Sequence, residues 1–336
     1  MLTHRTGDAT VEICSTMKLK HWFFLLLVPL MVIACSKEDS TSSTPPAEKY
    51  AVSLAFGGDI SVTDEPLTRG TATNHLYGIN VYYDSNSDGN INELYGYGLF
   101  DNIEDMTIEL LSKHKYRFEC TLVKDGKNSI YCDTGYYAPF QSNSSNKTIL
   151  ENKFILGSGT YLSGIKSGEA NLSNGSSSSY ASVNRFYGEL DNYTPIYGGV
   201  ATIYLKRVVF GAKLIVTGVQ DGTLEISSPL WTKTLTEDYE SEEAIFTFGN
   251  VYECWKNDAT FNATISLIFT SERGDYNNLS SKQTVSFKRN TFTTVTINVA
   301  PSLGFNCIYE EWGEDNFIDL EINTDGVIDT PIVPTE

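Results

Sequence analysis

The chain has 336 residues, of which 42 are acidic and 24 are basic, giving a formal net charge of −18. Such a field repels nucleic-acid phosphates and anionic lipid headgroups, so the composition argues against both as partners. Hydrophobic residues make up 41% and charged residues 20%, which excludes a disordered chain. The length is sufficient for two domains, each with its own core.

The N-terminal segment is typical of an exported protein. A basic start at Met17–Lys20 precedes the apolar run Trp22–Ile33, which is too short to span a bilayer but suits a signal peptide. The run ends in Ala34-Cys35, which resembles a bacterial lipobox, so we expect cleavage before Cys35 and acylation of its thiol. The alternative is an ordinary signal peptide with a chance cysteine. Because Asp8 and Glu12 do not suit a basic leader, translation is expected to begin at Met17.

The residues after Cys35 predict a flexible tether. Lys37-Glu38-Asp39 resembles the Lys-then-acidic signal that sends lipoproteins of the Bacteroidetes to the outer face of the outer membrane, although a solvated linker would have the same composition. The Ser, Thr and Pro residues that follow favour a spacer without a packed core. The prediction is therefore a cell-surface lipoprotein of the outer membrane.

The rest of the chain predicts an all-β fold. Apolar residues alternate with polar or small ones in short runs, beginning with Val52, Leu54 and Phe56 and ending with Ile318, Leu320 and Ile322. No long stretch keeps a helical period, so we expect two tandem antiparallel β-sandwich domains. A Gly- and Ser-rich stretch at 157–184 predicts a long surface loop, and the apolar region 202–216 is broken by Gly211. The predicted division is a signal region (1–34), a tether (35–49), domains at 50–198 and 199–325, and a tail (326–336).

Several phrases, taken in their order along the chain, resemble the Bacteroidales fimbrillins, the lipoprotein precursors of protease-assembled pili. These phrases are Val52–Phe56 with Gly58-Asp59-Ile60, Pro66–Arg69, Leu76–Tyr82, Tyr97–Phe100, Leu205–Arg207 and Trp312–Glu314. The resemblance implies two transthyretin-like sandwich domains and a structural or adhesive role, in fimbriae or at the cell surface.

The resemblance also implies an assembly mechanism. In this family a trypsin-like protease cuts after an arginine that follows the first strands, and a strand from another subunit fills the groove that is left. Arg69, followed by Gly70, is well placed for such a cut, although it could equally be a simple loop arginine. The expected partners are other fimbrial subunits or further copies of the chain, the outer membrane through the lipid, and receptors on host or bacterial surfaces. Pro331 and Pro334 would interrupt a long donor strand, so shaft, tip and anchor roles all stay open.

Asp84, Asn86 and Asp88 match the first ligand positions of a calcium loop. The twelfth position is Tyr95 rather than an acid, and the flanking residues predict strands rather than helices. A hairpin turn rich in Asp, Asn and Gly explains the same residues. Calcium is the weaker of the two interpretations, and no metal or cofactor is expected.

The sequence carries no recognisable catalytic motif, so we expect a protein that is not an enzyme. The alternative function is glycan binding on a surface lipoprotein of a polysaccharide-uptake system, with Trp231, Trp255 and Trp312 among the aromatic residues for stacking.

Four cysteines remain beyond Cys35, and buried free thiols are favoured over a Cys120–Cys132 disulfide across the Asp125-Gly126 turn. They are Cys120, Cys132, Cys254 and Cys307.

Overall fold

A computed structural model describes residues 47–59, 74–132, 134–172, 177–178, 180–272, 279–299, 304–311 and 314–321. Strands dominate these residues, which confirms the all-β prediction. Within these described ranges, helix is limited to a 3₁₀ turn at Ile103–Asp105 and two short helices, α1 (Gly126–Ser129) and α2 (Val251–Asn257). Within the described part, no helix has both the length and the apolar character to cross a membrane.

The first twelve strands build the N-terminal part of the described chain. They are β1 (Lys49–Gly58), β2 (Leu76–Tyr83), β3 (Glu93–Phe100), β4 (Thr107–Leu111), β5 (Tyr116–Val123), β6 (Tyr131–Cys132), β7 (Gly135–Tyr136), β8 (Phe154–Leu156), β9 (Ala170–Asn171), β10 (Ser177–Ser178), β11 (Arg185–Tyr193) and β12 (Val200–Arg207). Eight of them form one sheet in the order β4-β1-β12-β11-β5-β2-β3-β8, while β6-β7 and β9-β10 pair separately.

One face of the eight-stranded sheet encloses a hydrophobic core, the first core. Seven strands of the sheet contribute buried side chains to it. Among them are Val52, Leu54, Tyr77, Ile79, Val81, Ile108, Leu110, Tyr116, Phe118, Cys120, Leu122, Phe186, Ala201, Ile203 and Leu205. The alternation seen in the sequence is therefore the alternation between this core and the opposite face of each strand.

The remaining strands form two sheets that share a second core. They are β13 (Val209–Thr217), β14 (Gly222–Ser227), β15 (Thr232–Leu235), β16 (Tyr239–Glu240), β17 (Ala244–Thr247), β18 (Phe261–Ser271), β19 (Leu279–Phe287), β20 (Thr291–Asn298), β21 (Gly304–Glu311) and β22 (Glu314–Glu321). One sheet has the order β16-β13-β20-β21-β22, with β17 also on β13, and the other has the order β15-β14-β18-β19. Side chains from both sheets are buried together, as a β-sandwich requires.

The pairing differs from the prediction of purely antiparallel sheets at two places. β1 runs parallel to β12, and β13 runs parallel to β20. Both pairs join segments that are far apart in the sequence. Periodicity shows which face of a strand is buried but not which strand lies beside it, so the parallel pairs were not predictable from it.

The strands on either side of residue 208 belong to different sheets. The strand at 200–207 belongs to the eight-stranded sheet through β1 and β11, although the predicted second domain begins at 199. The strand break in this region is at Val208 rather than at Gly211, which lies inside β13. A Cβ at Gly211 would lie 2.2 Å from the ring of Phe292, so glycine here makes room for an aromatic side chain. The domain boundaries themselves stay a prediction.

The predicted surface loop at 157–184 is partly buried. Leu162 and Ile165 belong to the second core, and the amide group of Asn80 bonds both the backbone N–H and the carbonyl of Leu162. Residues 162–168, the covering segment, thus lie against the first sheet on the face opposite the first core. The Gly and Ser content of the loop did not predict this packing, because only two apolar side chains, Leu162 and Ile165, anchor the segment in the second core.

Candidate assembly site: the first strand and its groove

β1 occupies an interior position in its sheet. It pairs in parallel with β12 from Ser53↔Val200 to Gly58↔Leu205, and antiparallel with β4 from Lys49↔Leu111 to Ser53↔Thr107. The side-chain hydroxyls of Ser53 and Thr107 lie 3.3 Å apart on the outer face. β1 is therefore hydrogen-bonded on both sides rather than added at an edge.

The inner face of β1 fills a groove in the first core. Val52 is fully buried and Leu54 is 4% exposed, while the ring of Phe56 stacks on Tyr77 with 5.2 Å between centroids. These are the three side chains that the period-two pattern predicts to face inward. Burial of such a side chain contributes about 1.5–3 kcal/mol, so β1 stabilises the core by several kcal/mol. The groove walls come from the two neighbouring strands, with Ile108 and Leu110 on β4 and Ala201, Ile203 and Leu205 on β12.

The neighbours of β1 depend on it for their hydrogen bonds. In the described sheet β4 is an edge strand that pairs with β1 alone. β12 pairs with β11 at Lys206 and Arg207, and its first six residues pair with β1. Loss of β1 would separate β4 from the sheet and leave unpaired backbone groups beside an apolar groove. Such an edge is a template for another strand.

Gly58 and Asp59 mark the point where β1 ends. Gly58 has φ of +96°, and a Cβ there would lie 2.3 Å from the carbonyl oxygen of Leu205, so only glycine fits this turn away from β12. The N–H of Asp59 then donates to that same carbonyl at 2.9 Å. The predicted processing residues Arg69 and Gly70 follow, outside the described residues. Cys35, the predicted lipidation site, also lies outside them.

The carboxylate of Asp59 connects the end of β1 to the second half of the chain. Its Oδ2 accepts from the backbone N–H of Arg207 at 3.0 Å and from Nη1 of Arg289 at 2.8 Å. Arg289 also donates through Nε to Asp258, which lies 3.3 Å from the Lys206 ammonium group. We call Asp59, Asp258, Lys206 and Arg289 the clasp. In the sequence Asp59 is only part of a family phrase, because nothing there indicates that it lies beside a residue 230 positions away.

The charges of the clasp stabilise one another. Burial lowers the pKa of Arg289, but the hydrogen bond to Asp258 and the field of Asp59 outweigh burial, so that its pKa is raised. The hydrogen bond from Arg289 lowers the pKa of Asp258. The side chain of Arg289 is 21% exposed and that of Asp59 is 32% exposed, so solvent screens this pair only in part.

The calcium-like loop has the geometry of a hairpin turn. Asp84 is buried and both of its carboxylate oxygens accept backbone amides, Oδ1 from Asp88 at 3.0 Å and Oδ2 from Gly89 at 2.7 Å. Asn86 and Asp88 are exposed. Among the described residues there is no group of three or more His, Cys, Asp or Glu side chains arranged to hold a metal. These contacts favour the turn interpretation, and calcium binding stays untested.

Of the described tryptophans, one is buried and the other is half-buried. Trp231 is 8% exposed within the second core, and Trp255 packs edge-on against the buried Tyr187. Trp312 lies outside the described residues. The most exposed large aromatic side chains are instead Tyr197 at 89% and Tyr204 at 66%, which the sequence did not distinguish from core tyrosines.

The structure describes the side chains of three of the four cysteines, and all three are buried free thiols. They are Cys120, Cys254 and Cys307. Burial raises the pKa of Cys254 and of Cys307 to about 12, so neither thiol is reactive at neutral pH. At the predicted Asp125-Gly126 turn, Asp125 precedes the short helix α1, and β6 pairs with β7.

No protein-family model and no curated protein matches the chain. Solved structures from Bacteroidales resemble it over most of its length. One from Bacteroides thetaiotaomicron, provisionally described as a polysaccharide-binding protein, is 10% identical and covers 83% of this chain and 99% of its own, with a TM-score of 0.37. The fimbrial anchor protein Mfa2 of Porphyromonas gingivalis is 10% identical, with coverages of 79% and 98% and a TM-score of 0.33.

The tip fimbrial protein Mfa3 of the same organism, solved with a C-terminal truncation, is 10% identical, with coverages of 77% and 99% and a TM-score of 0.30. With TM-scores this low, the three likenesses carry no argument about what this chain binds or assembles with.

Proposed function

We propose that the chain is a structural or adhesive cell-surface lipoprotein, a fimbrial subunit, anchor or tip component that assembles by strand exchange after cleavage at Arg69. The observation that carries the proposal is the position of β1, which fills an apolar groove and is the only ladder partner of β4 among the described strands. The lipid on Cys35 would hold the uncut form at the outer membrane, and the partners would be other fimbrial subunits or copies of the chain.

Strand exchange follows from the energetics of the groove. A cut after Arg69 leaves β1 held only by its ladders, its core contacts and the clasp. Once β1 leaves, both its apolar contacts and its backbone hydrogen bonds are lost, and an incoming strand of the same alternation restores both. Ile318, Leu320 and Ile322 of a neighbour have that alternation.

The test uses the mature chain and an arginine-specific protease. Limited digestion should convert a monomer into ladders or fibres. Size-exclusion chromatography and electron microscopy before and after digestion measure this conversion. Arg69→Ala should block the conversion with any trypsin-like protease. Arg69→Lys is the matched control, because it should resist the arginine-specific protease and still assemble after trypsin.

Two results would contradict the proposal. One is a chain that is cut after Arg69 and loses β1 but stays a folded monomer. The other is an Arg69→Ala variant that polymerises as well as the native chain.

A second function, glycan binding, is favoured by the exposure of Tyr197 and Tyr204. Aromatic rings exposed on a β-sheet protein can stack on sugar rings, whereas Trp231 is buried and Trp255 is half-buried. If this function applies, Tyr197→Ala together with Tyr204→Ala should abolish retention on a glycan array without lowering the melting temperature. Unchanged retention would remove the tyrosines from consideration.

A further inference from the structure

Three turns lie together with the start of β1 at one end of the eight-stranded sheet. The N–H of Ser112 donates to the carbonyl of Glu48 at 2.9 Å. The N–H of Asp84 donates to the carbonyl of Lys115 at 3.0 Å, which joins the first two turns. The third turn connects β11 to β12, and the N–H of Ser53 on β1 donates to its last carbonyl at 3.2 Å. We call this end the tether end, because the predicted tether enters the described chain here. Its turns are residues 84–92, 112–115 and 194–199.

The third turn exposes a group of large apolar side chains. Ile196 is 63% exposed, Tyr197 is 89% exposed, and Val200, the first residue of β12, is 56% exposed. The N–H of Gly199 donates to the carbonyl of Ile196 at 3.0 Å, and the ring of Tyr197 meets Tyr50 of β1 edge-on with 6.4 Å between centroids. These contacts hold the turn beside the start of β1 with its apolar side chains outside the first core. We call Ile196, Tyr197 and Val200 the apolar tip. An exposed apolar group of this kind indicates a contact surface.

The charges of the tether end are balanced, although the chain as a whole is acidic. The three turns and residues 47–49 contain three lysines and three carboxylates, whereas the formal net charge of the chain is −18. The tether end therefore adds little electrostatic repulsion when it approaches a surface without net charge. The lysines are Lys49, Lys113 and Lys115, and the carboxylates are Glu48, Asp84 and Asp88.

The length of the predicted tether determines which end of the sheet stays near the membrane. Ala47 follows Cys35 by 12 positions, and a flexible chain of that length spans roughly 20 Å. β1 then runs away from the tether end for 10 residues, which is about 33 Å. Of the two ends of the sheet, a lipid on Cys35 would therefore keep the tether end nearer the membrane.

We propose that the apolar tip inserts into the headgroup region of the membrane that holds the lipid on Cys35. The proposal rests on the lipid anchor of the proposed function and adds a second membrane contact that orients the chain. A tyrosine ring fits this region because the ring is apolar while its hydroxyl meets water. The aliphatic side chains of Ile196 and Val200 reach the boundary of the acyl chains. They also distinguish the tip from a sugar platform, since sugar rings stack on aromatic faces.

The anchor makes a contact this small effective. Three side chains bury too little area to hold a protein on a membrane alone, but a tether confines the tip close to the lipid surface and raises its effective concentration there. Anchor and tip together fix the orientation of the sheet. The end of β1 at Gly58 and the clasp would then point away from the membrane, where an assembling subunit has access to them.

The experiment joins the mature chain to a lipid through its N-terminal Cys35, by a thioester reaction that is specific for an N-terminal cysteine. The chain is placed in phosphatidylcholine vesicles, and exposed tyrosines are iodinated from the aqueous phase. Mass spectrometry compares Tyr197 with Tyr131, which is also exposed but follows α1 at the opposite end of the sheet. Relative to the lipid-free chain in buffer, iodination of Tyr197 should fall about fivefold to tenfold, and that of Tyr131 should not change.

Ile196→Ser and Ile268→Ser are a matched pair of substitutions. Ile268 is an exposed isoleucine on β18, which belongs to a different sheet. On vesicles, Ile196→Ser should restore about half or more of the iodination that Tyr197 shows in buffer, because the tip loses apolar area. Ile268→Ser should leave Tyr197 protected. Unchanged iodination of Tyr131 shows that each variant is folded, and the native chain alone gives the answer if Ile196→Ser is not.

The lipid composition separates the tip from the lysines. Adding an anionic lipid to the vesicles should not strengthen the protection of Tyr197, because the contact is apolar and the chain is acidic. Protection that appears only with anionic lipid would assign the contact to the lysines and overturn insertion of the tip.

Equal iodination of Tyr197 with and without vesicles would also overturn insertion. If Ile196→Ser then loses retention on a glycan array, the tip binds sugars instead. Neither result would touch the lipid anchor, because the anchor in this experiment is attached chemically. Failure of cells to acylate Cys35 is detected separately, by mass spectrometry of the native N-terminus, and would overturn the anchor of the proposed function even if the tip inserts.

Discussion

At the scale of residues, Arg185 is the most unusual side chain in the described structure. It is fully buried, and its guanidinium group donates to the hydroxyl of Thr121 and to the carbonyls of Gly164, Ile165 and Ser167. Burial lowers its pKa to about 9, so it is still a cation at neutral pH. The hydrogen bonds to carbonyls fix the covering segment on the sheet, a role that an arginine at the start of a strand does not reveal in the sequence.

Arg185→Met should lower the free energy of unfolding by about 2–4 kcal/mol, because three buried carbonyls lose their donor. The free energy of unfolding of Arg185→Lys should lie between those of the native chain and Arg185→Met, since an ammonium group has fewer donors in a less extended geometry. Urea denaturation measures both, with the exposed Lys153→Met as the control for removing a positive charge. An unfolding midpoint for Arg185→Met that equals that of Lys153→Met would show that the buried hydrogen bonds contribute little.

At the scale of elements, the two faces of β1 differ enough to be tested separately. Leu54→Ala should cost about 2–4 kcal/mol of stability through the cavity it leaves in the first core. Ser53→Ala, on the exposed face of the same strand, should change stability by less than about 0.5 kcal/mol. In the chain cut after Arg69, Leu54→Ala should also speed release of the N-terminal fragment, measured by size-exclusion chromatography. Equal effects of the two substitutions would mean that the groove does not hold β1 through its apolar face.

The sequence predicts which faces of the strands are buried, but not which strands lie side by side. The period-two pattern of Val52, Leu54 and Phe56 located β1, because a side chain that faces a core must be apolar whichever strand lies beside it. The same pattern could not show that β1 lies between β4 and β12, since pairing depends on the whole sheet. The clasp was unpredictable for the same reason. The turn at Asp84 was predictable as one of two alternatives, because carboxylates cap turns and bind calcium with the same oxygen atoms.

At the scale of the whole molecule, the proposed lipid on Cys35 would determine where the proposed assembly can begin. Cys35→Ala should release the protein from membranes or leave its signal peptide uncleaved, because no other residue can be acylated and become the new N-terminus. Fractionation of cells followed by mass spectrometry of the N-terminus measures this, and Ser36→Ala is the matched control. Membrane retention of an acylated Cys35→Ala protein would contradict the prediction. A mature N-terminus at Gly70 on the native protein would indicate the cut form.

The parallel pairing of β1 with β12 has a consequence for folding kinetics. Leu54 meets Ala201, 147 positions later in the chain, whereas β2 and β3 meet across a short hairpin. Closing the longer loop has the greater entropic cost, so we expect the local pairs to form first and β1 to join β12 late. Until it arrives, the groove stands open in the refolding chain as it would after the cut. Refolding at high protein concentration should therefore trap strand-swapped dimers of the uncut chain, at a yield that rises with concentration.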